Sequence, residues 1–336
     1  MTVSTSDLKI DSKMDPMPDP GFASFWGIRQ SPFLGRVDVP VGLLLAGQRG
    51  AASRALIAAQ EGASVVTIAG RDGAGSTVLA RWLYERLPET SHHALLLAPG
   101  AAGVDPAALS SRIAAFGVAQ LGVSAPNPER LAGSLREQMI ALAPVFDALR
   151  NSHKRLAVIF DNSAHLSGEP WAAYMLAVVR QGEIVDGVIQ FFLFGNEDGI
   201  DRLTSSWPRA LEARAIKVAL ASPSNSDQAT WVENRLVMAG CDEAVARNIF
   251  SKSAIQRAIA GSAQNLARLG RIAEGAMIEA FLSGSRQVTE SHVEIASTAL
   301  GRGGASIADA AGDGIETHNA HEKLANPRLL DLLKPI

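Results

Sequence analysis

The feature that most constrains this chain is a β-branched run that ends in a glycine-rich turn. Ser64-Val65-Val66-Thr67-Ile68-Ala69 is bounded by Gly62 and Gly70, and Gly70-Arg71-Asp72-Gly73-Ala74-Gly75-Ser76-Thr77 follows at once. The run reads as a buried strand. From residue 78 to 87 the spacing of Val78, Leu79, Trp82, Leu83 and Arg86 is helical. A strand that turns through glycines into a helix is the setting a phosphate-binding loop requires. The glycines let the backbone curl so that several N–H groups converge, and the helix N-terminus adds positive potential. The full pattern is Gly, four residues, Gly, Lys and Ser or Thr. Gly70, Gly73 and Gly75 are in place, Thr77 keeps the hydroxyl that would bind Mg²⁺, and Ser76 stands where the lysine belongs. That lysine is the point charge that holds the outer phosphates; a serine offers one neutral hydrogen bond instead. Arg71 is a substitute cation to weigh, and an ordinary ligand-free turn is the alternative reading of the whole octet. A dinucleotide site is rejected: the glycines do not follow G-x-G-x-x-G, and neither tyrosine begins Tyr-x-x-x-Lys, since the residue four positions after Tyr84 is Pro88 and that after Tyr174 is Val178.

Two further strand ends carry polar residues. Leu156-Ala157-Val158-Ile159-Phe160 closes on Asp161, an apolar strand ending in an acid that would hold Mg²⁺ through water beside the loop. An ATPase with a general base places Glu next; here it is Asn162, whose amide can orient a water but cannot accept its proton. Phe191-Phe192-Leu193-Phe194-Gly195 leads to Asn196, which would stand between the two motifs and contact a terminal phosphate, or serve only as a turn residue.

Strands at 64–69, 93–97, 156–160, 189–193 and 216–220 alternate with helical stretches at 51–60, 78–87, 106–152 (broken near 122–128) and 171–181. That order implies a parallel sheet covered on both faces. From residue 222 the strand pattern stops, and 226–239, 244–251, 264–282 and 289–300 read as helices. Ser226 and Thr289 are the expected N-caps and Gly240 a stop. The expected organisation is a disordered leader at 1–24, an α/β domain at 25–221, a helical domain at 222–300 and a flexible tail at 301–336. Aromatics packed into Phe25-Trp26-Gly27-Ile28-Arg29-Gln30-Ser31-Pro32-Phe33 suggest a small hook folded onto the body.

Of the 336 residues, 47% are hydrophobic and 19% charged, enough apolar material for a buried core. The net charge of −3 disfavours nucleic acid as a partner. The arginines and lysine at Arg247, Lys252, Arg257, Arg268 and Arg271 read as a solvated face. Cys241 is the one cysteine, so no internal disulfide forms and a reducing compartment fits. The leader has no apolar segment, and the longest apolar runs fall far short of the roughly 18 residues of a membrane span. A cytoplasmic location is expected. His92, His93, His153, His165, His292, His318 and His321 show no metal-ligand spacing.

These residues together resemble the ExeA/GspA-like AAA ATPases associated with type II secretion, a group related to TniB-type transposition regulators. The hook is similar to that family's opening F-F-G-L-x-x-x-P-F, and residues 54–87 to its helix, strand, phosphate loop and helix. Trp231-Val232-Glu233-Asn234-Arg235-Leu236 with Ala239-Gly240 resembles its Y-I-x-x-R-L…A-G lid segment. The resemblance implies an α/β P-loop NTPase fold of the AAA type, a three-layer αβα parallel sheet with a C-terminal helical lid. It implies ATP and Mg²⁺ as cofactors. As partners it implies proteins: an AAA-type homologue, envelope machinery of the secretion or pilus kind, or further copies of the chain. It also locates the departures. The lid's Gly-x-Pro-Arg is Gly261-Ser262-Ala263-Gln264 here, so Gln264 replaces the arginine that senses the terminal phosphate. With Ser76 and Asn162 that makes three neutral replacements, and the expectation is a pseudo-ATPase that holds nucleotide weakly or not at all and serves as a structural or regulatory subunit; the alternatives are an active ATPase that uses Arg71 or a neighbour's residues, and a DNA-binding regulator of the transposition type. Arg209 and Arg214 are the arginines left to serve a neighbour in trans, or are plain surface charges.

Overall fold

The computed structural model describes residues 21–33, 44–89, 92–97, 105–164, 166, 168–181 and 188–308. Five strands, β1 (Val65–Gly70), β2 (His92–Leu97), β3 (Arg155–Phe160), β4 (Ile189–Asn196) and β5 (Ala215–Leu220), form one parallel sheet in the order β2-β3-β4-β1-β5. The side-chain period of two sorts each strand between two cores. Val65, Val158, Phe191 and Leu193 enter one cluster with α4 (Pro106–Leu121), α6 (Leu135–Asn151) and α7 (Glu169–Gln181). Val66, Ile68, Ile159, Phe192 and Phe194 enter the other, with α2 (Ala46–Gln60) and α3 (Ser76–Arg86). This is the two-sided burial that near-continuous apolar strands require. Each fully buried Phe or Leu of β4 contributes about 1.5–3 kcal/mol, and β4 is central because both neighbours pair with it.

The strand order positions the chemistry. β4 lies between β3 and β1, and Gly70 pairs with Asn196 in register. The C-terminal ends of β1, β4 and β3, carrying Gly70, Asn196 and Asp161, therefore share one edge. A short α5 (Pro128–Leu131) and the capping box of Ser134 with Glu137 divide the long helical stretch read at 106–152. Helices α8 (Glu197–Ser205) and α9 (Arg209–Glu212) link β4 to β5.

The second layer of helices is α10 (Asn225–Met238), α11 (Glu243–Ile249), α12 (Lys252–Ser262), α13 (Leu266–Leu282) and α14 (Glu290–Ala308). Four details correct the sequence reading. Ser224, not Ser226, caps α10, in a reciprocal box with Asp227. Helix α12 was not expected, because its buried face is made of the small residues Ala254 and Ala258 with Ile259. Helix α13 begins at Leu266 rather than 264, because Ala263 and Gln264 both take left-handed backbone angles (φ 52° and 64°) and Asn265 supplies the cap. Helix α14 also runs to Ala308, past the residue 300 at which the last helix was expected to end.

The hook forms helix α1 (Phe22–Trp26), ended by Gly27 at φ 66°. Phe22 and Phe25 meet Phe281 edge-on, and the Arg286 guanidinium lies over the Phe25 ring. Buried Glu274 of α13 accepts from the Ser31 hydroxyl at 2.8 Å and the Phe33 amide at 3.3 Å. Burial pushes the Glu274 carboxyl up, while Ser31, Phe33 and the charge of Arg235 pull it back. The hook is thus tied to the helical layer. Residues 1–20 of the expected leader and 309–336 of the expected tail, with His318 and His321, lie outside the described residues, as does His165.

One buried polar pair sets a pH dependence. His92, at the start of β2, places Nε2 2.9 Å from Gln190 Oε1, and the Gln190 amide donates to the Ala59 carbonyl. Burial lowers the His92 pKa below 6.5; its bond to Gln190 opposes this. The unfolded chain therefore binds the proton first as pH falls, and stability contributed by neutral His92 is lost below about 6.5. The melting temperature of the wild type is expected to fall more steeply between pH 7.5 and 5.5 than that of His92→Gln, measured by calorimetry.

Candidate nucleotide site

Gly70 ends β1 against β5: a Cβ there would lie 2.8 Å from the Leu220 carbonyl oxygen. The loop then turns through Gly73 (φ 78°) and Gly75 (φ 96°), left-handed conformations that favour glycine. Ala74 N–H closes the turn onto the Arg71 carbonyl at 3.0 Å. The N–H groups of Gly73, Gly75, Ser76 and Thr77 donate to no acceptor among the described residues. Helix α3 opens at Ser76, so four unpaired donors stand at the positive end of a helix dipole. This is an anion cradle in geometry, without the lysine.

Beside it, Thr77 Oγ1 donates to Asp161 Oδ1 at 3.0 Å, while buried Asp161 Oδ2 has no partner. Burial raises the Asp161 pKa, against the Thr77 bond and the nearby charge of Arg81. A buried carboxylate oxygen without a partner is costly. A divalent cation, with its waters, would satisfy it, so the hydroxyl–carboxylate pair fits Mg²⁺. Asn162 follows in a left-handed conformation (φ 72°) with its side chain exposed. Asparagine tolerates that backbone better than glutamate does. Asn196 faces the loop, and both ends of its amide are engaged. Its Oδ1 caps α8 through Gly199 N–H at 2.8 Å, and its Nδ2 donates to Asp72 Oδ1 at 3.1 Å.

The structure does not bring Arg209 and Arg214 to this edge. Arg214 immediately precedes Ala215, which pairs with Val65, at the opposite end of β1 from Gly70. The length of β1, about 17 Å, separates them. Arg214 donates to the Ala210 carbonyl, and Arg209 is exposed at the start of α9.

The helical layer closes directly on the loop. Leu266 N–H donates to the Gly73 carbonyl at 3.0 Å, and Asn265 is packed so tightly on Gly73 that a Cβ there would lie 2.3 Å from its amide. Arg71 Nη1 donates to Gln264 Oε1 at 3.2 Å. Arg71 and Gln264 therefore hold each other. From the other side Gln48 of α2 reaches over the loop. It donates to the Ala74 carbonyl at 3.1 Å and accepts from Leu45 N–H at 3.0 Å. Between loop, hook and lid lies a cavity of about 400 Å³, lined by Gly75, Ser76 and Thr77 at one end and Phe33, Trp231 and Asn234 at the other. Aromatic side chains, an amide and a row of unpaired N–H groups are the kinds of group a nucleotide pocket needs. A second cleft of about 360 Å³, on the side of Arg71 and Asp72, is polar. Sequence reasoning missed Gln48, Asn265 and Leu266; the one local signal was the Asn before the Leu-rich start of α13.

No protein-family model matches the chain, and no curated protein matches its sequence. Solved structures do resemble it. The Aeropyrum pernix ORC1 protein in complex with DNA is 14% identical, over 79% of this chain and 68% of that one, with a TM-score of 0.54. The ADPNP-ADP complexes of Aeropyrum pernix ORC2 give 18% identity, 85% and 74% coverage and a TM-score of 0.55. Drosophila ORC bound to DNA gives 15%, 88% and 68%, and 0.58. The shared feature is the fold, and the chain has the α/β P-loop NTPase fold of AAA type.

Proposed function

We propose that this AAA-type module binds a nucleoside polyphosphate at residues 70–77 without hydrolysing it, and works as a structural or regulatory subunit. One observation carries the reading. The unpaired N–H cradle and the Thr77–Asp161 pair are kept beside a nucleotide-sized cavity, whereas Ser76, Asn162 and Gln264 leave the loop without lysine, general base or sensing arginine. Thr77 and Asp161 would hold Mg²⁺, which would supply charge neutralisation to the phosphates. The complexes with ADPNP and ADP among the similar structures support nucleotide as the ligand class.

The finer assignment, to an ExeA/GspA-like assembly at the cell envelope, rests on the hook and lid resemblance alone. In it the chain is cytoplasmic and associates with an AAA-type homologue or with itself. Among the described residues no helix is long and apolar enough to cross a membrane. A second reading, a DNA-binding regulator, draws on the DNA complexes among the similar structures. Against it, Arg247 pairs with Glu243 and Arg257 with Glu294, which removes part of the basic face of the helical layer.

The test is a nucleotide titration of wild type and Asp161→Ala, each with Mg²⁺ and with EDTA. The wild type is expected to bind about 10-fold more tightly with Mg²⁺, and the variant to lose that gain, the usual scale for a disturbed metal site. Wild-type affinity indifferent to Mg²⁺ would remove Thr77 and Asp161 from the site.

A further inference from the structure

We infer that this site discriminates by charge against a third phosphate and takes a nucleoside diphosphate in preference to the triphosphate. The inference rests on the nucleotide-binding reading above and concerns the far side of the same loop. With the base of a ligand against Phe33 and Trp231 and its phosphates on the N–H groups of residues 73–77, a further phosphate would arrive at the contact of Gly73 with Asn265, and the cleft lined by Arg71, Asp72 and Asn196 lies on the other side of that contact.

That end of the loop is unusual in its charges. The Asp72 carboxylate belongs to the loop itself and holds the Asn196 amide at 3.1 Å, so the one neutral donor at the end of β4 is turned to an acid. Glu197 and Asp198, in the exposed first turn of α8, line the same cleft. Two cations share it, but Arg71 is bonded to Gln264, and Arg268 is exposed on α13. Three carboxylates thus outnumber two guanidiniums at the place where added phosphate charge arrives. Ser76 supplies no charge to offset it, and a Mg²⁺ held by Thr77 and Asp161 would add the same charge with either nucleotide. A diphosphate keeps the cradle's hydrogen bonds; a triphosphate keeps them too, and adds repulsion.

The experiment is a calorimetric titration of the full chain with ADP and with ATP, each with Mg²⁺, at low and high salt, for wild type and Asp72→Asn. Asparagine keeps an oxygen that can accept from Asn196 and removes the charge. Wild type is expected to bind ADP about fivefold more tightly than ATP at low salt, the size of one screened charge interaction. The preference is expected to shrink toward unity in Asp72→Asn and at high salt, where exposed charges are screened. Glu197→Gln serves as a second variant and is expected to move the ratio the same way, by less. ATP binding as tightly as ADP in the wild type overturns the inference, and so does a preference that neither the substitutions nor salt alters. Absence of binding by both nucleotides overturns the nucleotide reading itself, and this inference with it.

Discussion

Ser76→Lys is expected to tighten nucleotide binding by about 10- to 100-fold, the range of one charge-assisted hydrogen bond to phosphate. The position is ready for it. Ser76 begins α3, lines the cavity and is flanked by N–H groups with no acceptor, so a lysine stem extends into open space rather than into the core. The gain should be larger for ATP than for ADP, because the ammonium offsets the charge that Asp72 repels. Phosphate release should remain absent, since Asn162 still cannot accept a proton. Adding Asn162→Glu supplies the base at a residue with φ 72°, where a side chain that lacks asparagine's tolerance of the left-handed region costs up to about 1–2 kcal/mol. Stability is therefore expected to drop as turnover appears. Fluorescence titration and a phosphate-release assay on the single and double variants check both statements. An unchanged affinity in Ser76→Lys would mean that the loop does not receive phosphate.

Gly75→Ala is expected to cost about 3–5 kcal/mol and to abolish binding, one of the largest effects a single methyl can have. Two causes add. Residue 75 sits at φ 96°, which alanine adopts only with strain, and the new Cβ would lie 2.0 Å from Gln48 Nε2. Gln48 is 3% exposed and spans the Ala74 carbonyl and the Leu45 amide. Moving it leaves buried polar groups unpaired, at about 1–3 kcal/mol each. A drop in melting temperature of about 10 °C follows for a domain of this size. The double variant Gly75→Ala/Gln48→Ala separates the causes: removing the glutamine relieves the clash but not the backbone strain. Its cost is expected to fall below the sum of the two single costs. Strict additivity would show that Gln48 does not press on the loop.

The sheet was legible in the sequence because parallel strands buried on both faces are written as short apolar runs. β1, β3 and β4 each announce themselves that way, and the residues that end or follow these runs, Gly70, Asp161 and Asn196, mark the edge of the candidate site. The loop was legible for a related reason: only glycine suits the backbone of residues 73 and 75. What the sequence hid is what depends on distance. Gln48 lies in an alanine-rich helix with no local sign that it reaches the loop. Helix α12 packs through alanines, which carry little hydrophobic signal. The pairing of Arg71 with Gln264 joins residues 193 positions apart, so the substitute cation looked free when read alone. Asn196 likewise looked like a free amide, whereas it caps α8 and binds Asp72.

The most direct test of the account is a single-turnover assay of purified protein loaded with γ-labelled ATP and Mg²⁺, with bound and released label measured on the same sample. Saturable binding with no labelled phosphate above the buffer control is the predicted result. Release that follows the bound fraction and disappears in Asp161→Ala would contradict it, and would show that the site hydrolyses ATP with Ser76 in the lysine's place.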